Sequence, residues 1–596
     1  DVCSSDLGSD ARKVGDYYAA FLDAKAIETR GLKPLEPELK RIEAITSRQA
    51  LAAYLGSTLG ADVDALNMTD FYTDHVLGLW VNQSFHHPER NVAYLLQGGL
   101  GMPDREYYLS SDPKMTALRA KYRDHVAAML KLAGIPNAQI KADDILALET
   151  AIAQTHAARA ASEDVHKADN TWTRADFAAK APGMDWDAFF AAARLGSVQS
   201  FVVWHPTAAT GLARLAADEP LETWKAYLSL RLIDHYAAVL PKAFDEAHFA
   251  FYGTALSGVT KPLARWRRAV DATDEALGQP VGRLYVAKYF PPAAKAKIQA
   301  LVGELTAAYR IRIERLSWMS SATKKKALAK LATLKVGVGY PGKWTNTAAL
   351  AVKRNDALGN LMRAERFRYR EALAKLKKPA DRGEWGLSPQ TVNALNLPLA
   401  NALNFPAAIL QPPFFDPDAD AATNYGAIGA IIGHEISHSF DDQGSQFDAA
   451  GKLANWWTKA DAAHFRAASA RLAAQFDDYK PFPDLAVNGK QTLSENIADV
   501  AGLSAALDAY HLSLHGRKAF VIDGLSGDER FFLAYAQAWR VKMRPAALRN
   551  RILTDGHAPA MYRADTVRNI DAWYDAFSVK PGDKLYLAPA DRVRVW

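Results

Sequence analysis

Residues 424–444 read NYGAIGAIIGHEISHSFDDQG, and the centre of this run restricts the chain more than any other stretch. The part before His434 is apolar and built of small residues, which suits a helix buried in a protein interior. Continued along that helix, His434 and His438 are four residues apart and share one face, so their imidazole nitrogens can hold a single zinc ion. Glu435 lies about 100° further round, near the open coordination position, where its carboxylate can take a proton from an attacking water. With 15 His in 596 residues, HExxH arises by chance in about one of fifty chains of this composition. Two surface histidines on an ordinary helix is therefore the weaker account.

A catalytic zinc needs a third protein ligand and an open fourth position. The spacing HExxHxxGxxH would put Gly at 441 and His at 444, whereas the chain has Asp441 and Gly444. A glutamate some twenty residues on is also missing, because none occurs between His438 and Glu495. Glu495, in TLSENIADVAGLSAA, is thus the expected third ligand, presented by a second helix; Asp461 and His464 are its competitors. Asp499 follows Glu495 by four residues on the same helical face, where a carboxylate can accept the free N–H of a ligand imidazole and fix its tautomer. Asp441 or Asp442 could serve His438 in the same way.

The remaining text reads as a large, mainly helical protein. Stretches such as KVGDYYAAFLDAKAIE, ALRAKYRDHVAAMLKLAG and TKKKALAKLATLKV carry apolar residues at three- and four-residue spacing. Strand signals are confined to SFVVWHP and to NLPLANALNFPAAIL. At 596 residues the chain exceeds one core, so two or more compact units are expected. The net charge of +6 is scattered; Lys324-Lys325-Lys326 and Lys377-Lys378 read as solvated helix faces, and nothing points to nucleic acid. Cys3 is the only cysteine, which excludes an intrachain disulfide. No apolar run reaches the length of a membrane span, and no signal peptide is visible.

Taken together, HEISHSFDDQG, ENIADVAGL and NFPAAILQPPFF resemble the neprilysin / endothelin-converting-enzyme family of zinc metallopeptidases, whose bacterial members are oligopeptidases. GLGMPDREYYL, VGRLYVAKYF, LSWMSSATKKKALAKL and ANWWTKAD fall in the family's order, so the similarity spans most of the chain. The resemblance implies one Zn2+ per chain on His434, His438 and Glu495, with Glu435 as general base and Asp499 orienting a ligand histidine. It further implies that His557, in GHAPAMYR, stabilises the oxyanion, and that Arg563 holds a substrate carbonyl. Asn393 and Ala394 would line the groove and pair with the substrate backbone. Here the chain departs from the family, placing Leu395 and Asn396 where bulky aromatic residues usually follow.

The implied fold is mainly α with small β-sheets, in two lobes around a central chamber. Residues 1–171 would begin the catalytic lobe, 172–343 form an inserted helical lobe, and 344–596 form the thermolysin-like catalytic domain. The implied activity is cleavage of internal bonds in short peptides by a monomeric, extracytoplasmic enzyme without a membrane-spanning segment. Family members carry a further segment ahead of the first helix, so the resemblance also implies an N-terminal truncation, with Asp1–Leu7 foreign to the helix that follows. The competing expectations are a non-catalytic peptide-binding relative and an aminopeptidase.

Overall fold

The Ala- and Leu-rich stretches fold as helices in a computed structural model, which describes residues 4–68 and 70–596. Helix α1 (Ser4–Leu22) already includes Ser4–Leu7, so the expected break at Leu7 is absent, while Asp1–Cys3 lie outside the described residues. KVGDYYAAFLDAKAIE is two helices rather than one. Asp23 interrupts it and caps Ala24–Arg30, its Oδ1 accepting from the Ala26 N–H at 2.9 Å, the usual role of an aspartate at a helix start.

Two sheets punctuate the helices. One has the order β1-β2-β4-β3, from β1 (Leu77–Gln83), β2 (Asn91–Gln97), β3 (Thr171–Thr173) and β4 (Ser200–Val203). β1 and β2 are antiparallel, with Leu77 opposite Gln97, and β2 runs parallel to β4. The other has the order β5-β7-β6, from β5 (Lys335–Gly339), β6 (Leu395–Leu397) and β7 (Ala402–Pro406). β6 is therefore an edge strand.

Two large cores organise the chain. The first packs side chains from Ala20 to Ala269 with Ala357 and Leu358; the second packs side chains from Val286 to Trp596. Residues 172–343 contribute to both: Trp172 and Phe177 join the first, Ile298 and Leu305 the second. Helix α2 (Arg265–Tyr289) passes from one core to the other, with Ala269 in the first and Val286 in the second. Its helical angles fail at Leu277, three residues before Pro280, because a proline ring displaces the preceding turn. A third cluster, in which Val63, Trp80, Phe85 and Trp204 meet Leu399, Phe447 and Leu453, joins the two halves. Polar contacts also cross between them, including Lys114 Nζ to Asp484 at 2.6 Å and His166 Nε2 to Gln446 Oε1 at 2.9 Å. Among the described residues no helix is long and apolar enough to cross a membrane.

Candidate metal centre and active site

HEISH lies on helix α4 (Ala430–Ser437) and its C-terminal cap, and Glu495 and Asp499 lie on helix α5 (Leu493–Ser513). Facing glycines bring these helices together. A Cβ on Gly433 would sit 2.5 Å from the Gly502 carbonyl oxygen, and one on Gly502 would sit 2.4 Å from the His434 nitrogen. Both distances are shorter than any carbon can approach, so the seam admits only hydrogen at each position. The sequence places these residues one before His434 and three after Asp499, which is how carboxylates of the second helix reach imidazoles of the first.

The imidazoles are oriented by carboxylates. His434 Nδ1 lies 2.8 Å from Asp499 Oδ1, and His438 Nδ1 lies 2.6 Å from Asp441 Oδ2. An ionised carboxylate only accepts, so each Nδ1 carries a proton and Nε2 is the nitrogen of each ring that could bind a metal. The two Nε2 atoms are 2.9 Å apart. Glu495 closes the triangle, with Oε2 3.1 Å from His434 Nε2 and Oε1 3.6 Å from His438 Nε2. Glu495 Oε2 is buried, with His434 Nε2 at 3.1 Å and His557 Nε2 at 3.0 Å from it. Two Nε2 atoms 2.9 Å apart and a carboxylate thus converge on one point, an arrangement that favours positive charge there. Burial alone would depress the His438 pKa, yet Glu495 and Asp441 raise it well above the imidazole range, which again expresses a demand for positive charge. This donor set fits zinc. His434, Glu435 and His438 also offer ligand atoms within 4.8 Å of one another. Glu495 also presents its carboxylate to both Nε2 atoms and so could hold an ion with them.

Glu435 is 6% exposed, and burial raises its pKa, with His438 and His434 opposing. That suits a group that must gain a proton during turnover. Asp499 also accepts both Nε and Nη2 of Arg563 at 2.8 Å, a paired contact that fixes the guanidinium plane. Arg563 stacks 3.9 Å over Trp539, and its own carbonyl accepts from the Tyr535 hydroxyl. His557 Nε2 reaches Glu495 Oε2 at 3.0 Å, and its Nδ1 lies 2.8 Å from Asp555 Oδ1. Burial opposes its charge, but the two carboxylates raise its pKa to about 9, leaving an imidazolium able to donate.

All nine residues expected from the sequence line one cavity of about 320 Å³: His434, Glu435, His438, Glu495, Asp499, His557, Arg563, Asn393 and Ala394. Asn393 and Ala394 immediately precede edge strand β6. Residues Ala65–Met68 and Glu163 complete the wall from the other half. The competitors lie elsewhere. Asp461 lies in the first turn of the helix Lys459–Asp477, which Thr458 caps, and its carboxylate accepts from Ser320, Thr323 and Thr458, while the His464 ring stacks on Trp318. Asp441, not Asp442, meets His438.

Sequence reasoning missed several supports. Asn396 Nδ2 donates to the Glu435 carbonyl at 2.8 Å and to Ser439 Oγ at 3.0 Å, so the departure from aromatic residues places a polar tie behind the catalytic helix. Ser494 Oγ donates to Asp441. Its position beside Glu495 was the one available signal.

Comparison with known proteins agrees with this geometry. Models described as Peptidase family M13 match residues 3–341 and 393–593. The chain is 30% identical to endothelin-converting enzyme-like 1 of Mus musculus, covering 99% of this chain and 78% of that protein. Among solved structures it is similar to the zinc metalloprotease Zmp1 of Mycobacterium tuberculosis in complex with inhibitor, at 40% identity and a TM-score of 0.93, covering 98% of this chain and 89% of that one. PepO from Lactobacillus rhamnosis gives a TM-score of 0.86 at 28% identity, covering 99% and 92%.

Proposed function

The chain belongs to Peptidase family M13, and from that premise we propose how its residues divide the work of a zinc-dependent metalloendopeptidase that hydrolyses internal bonds of short peptides. His434, His438 and Glu495 would hold the metal. When bound, zinc supplies a Lewis acid for the scissile carbonyl and the attacking water. Asp499 and Asp441 keep His434 and His438 in the ligand tautomer.

Glu435 takes the proton of the attacking water and returns it to the leaving amine. His557 donates to the oxyanion as it develops; removing one such donor costs about 10²–10³ in rate. Asp499 occupies the Nε/Nη2 edge of the Arg563 guanidinium, and Nη1 has no protein acceptor among the described residues. That nitrogen is free to donate to a substrate carbonyl. Asn393 and Ala394, beside an unpaired strand edge, offer backbone pairing to an extended peptide. We place the enzyme outside the cytoplasm and acting as a monomer, both by likeness to the family.

The observation that carries this reading is the facing pair of Nε2 atoms closed by the Glu495 carboxylate. The test is Glu435→Gln assayed on an N-blocked apolar peptide, with metal content measured in parallel. Activity is expected to fall by about 10³-fold or more with one zinc retained. Retention of more than a few per cent of activity would show that another group is the base. Cleavage of the blocked peptide by the unaltered enzyme, abolished by chelator, excludes both an aminopeptidase and a non-catalytic relative.

A further inference from the structure

Lys330 lies on helix α3 (Ser321–Ala332), in the run TKKKALAK, and is 1% exposed. Its neighbours Lys324, Lys325 and Lys326 are not buried in this way. No carboxylate among the described residues forms an ion pair with Lys330. Instead its Nζ donates to the carbonyls of Gly444 and Phe447, each at 2.7 Å, and lies 5.9 Å from the Phe440 ring. A buried ammonium with no counter-ion in contact is costly, so these two carbonyls need a reason to hold one.

The reason lies in where the carbonyls belong. The chain after His438 folds back so tightly that a Cβ on Gly444 would sit 1.7 Å from the His438 carbonyl oxygen. Within this turn the N–H groups of Gln443 and Gly444 donate to Asp441 Oδ1 at 2.9 and 2.7 Å, while Asp441 Oδ2 faces His438 Nδ1. The turn thus uses its amides to aim Asp441 at a ligand histidine, and its outward carbonyls are held by Lys330. The carbonyl of Lys330 accepts in turn from Asn401 Nδ2 at 3.0 Å, which anchors the end of α3 to the start of β7. Burial pushes the Lys330 ammonium down to about 7, with Asp441 and Asp448 opposing; the turn's own carboxylates favour the charge that grips it.

We propose that Lys330 is a positioning residue for the metal centre: by holding the Gly444 and Phe447 carbonyls it fixes the turn that aims Asp441 at His438. This rests on His438 being a zinc ligand. Lys330 touches neither metal nor substrate. Its effect is carried by the orientation of one imidazole, so it should be visible in metal affinity rather than only in folding.

The experiment is a double-mutant cycle on the full chain, pairing Lys330→Met with Asp441→Asn and reading zinc affinity by competition against a chromophoric chelator. Lys330→Met is expected to weaken zinc about tenfold, the scale of a lost supporting contact. The double variant should match Asp441→Asn alone within about twofold, because both changes break one chain of contacts. The absorption bands of the cobalt-substituted Lys330→Met protein should shift with the altered imidazole. Unchanged zinc affinity in Lys330→Met, even with a lower melting temperature, would make Lys330 a purely structural residue, and losses that multiply in the double variant would show that it does not act through Asp441. If Lys330→Met fails to fold, Lys330→Gln, whose amide can still donate, is measured by the same two criteria. Zinc affinity that ignores His438→Ala would instead remove the ligand assignment itself, so the two failures are distinguishable.

Discussion

Histidines meet carboxylates in both halves of this molecule, with opposite consequences. In the first half, His235 directs Nδ1 to Asp74 at 2.6 Å and Nε2 to Glu365 at 2.8 Å. Nearby, His125, His248 and the Tyr252 hydroxyl converge on the single carboxylate of Asp234. In the second half, His434 and His438 each give Nδ1 to a carboxylate of its own, while their Nε2 atoms lie 2.9 Å apart and both face one shared carboxylate, Glu495. His235 is an imidazolium with both nitrogens occupied and cannot ligate a cation. What distinguishes the candidate metal centre is therefore that two Nε2 atoms and one shared carboxylate converge on a common point, whereas each nitrogen of His235 has a carboxylate of its own.

The largest way to break this contrast is at the glycine seam. Gly502→Ala puts a methyl against the His434 backbone and is expected to separate Glu495 from the imidazoles, with metal content falling and activity dropping by about 10²-fold or more. Normal zinc stoichiometry in this variant would mean that the seam does not set the spacing. Next comes Asp499→Asn, which keeps the shape but offers the wrong partner to His434 Nδ1; zinc affinity should fall by about 10–100-fold, read by chelator competition.

His235→Gln tests the other half. It should lower stability by about 2 kcal/mol and leave zinc content and kcat/KM unaltered. Burial opposes charge on His235, but Asp74 and Glu365 raise its pKa well above the usual imidazole value. Its folded-state pKa thus exceeds the unfolded one. The stability it contributes is complete below about pH 6.5 and is lost as pH rises through the raised value. The difference in melting temperature between wild type and variant should accordingly be widest in mild acid and narrow toward alkaline pH. A difference that widens with pH would reverse the assignment. The smallest effect belongs to Asn393→Ala, at the exposed entry to β6. A rise in KM of about three- to tenfold, with kcat nearly constant, corresponds to one hydrogen bond to the peptide.

The ligands were legible because helical periodicity is local: positions 434 and 438, and 495 and 499, share faces whatever surrounds them. Pairing Glu495 with the histidines needed only the absence of any earlier glutamate. More than one unit was expected from length, but which helices join which core could not be read from local pattern. Alanine-rich helices of both halves look alike in sequence, and the insertion expected between 172 and 343 is shared by both cores. Strands β1 and β2 were missed because LGLWVNQ and NVAYLLQ lack clean alternation, being buried along most of their length. TKKKALAKLATLKV was read as one helix, yet it turns into β5 at Lys335. Lys330 hid in a lysine run whose other members are ordinary, since burial depends on which neighbours arrive from far along the chain.

The cavity has walls from both halves, with Ala65–Met68 on one side and the HEISH helix on the other. Substrate preference is consequently a joint inheritance. Replacing either half with that of a relative would create a hybrid lock, its tumblers cut by one ancestor and its keyway by another.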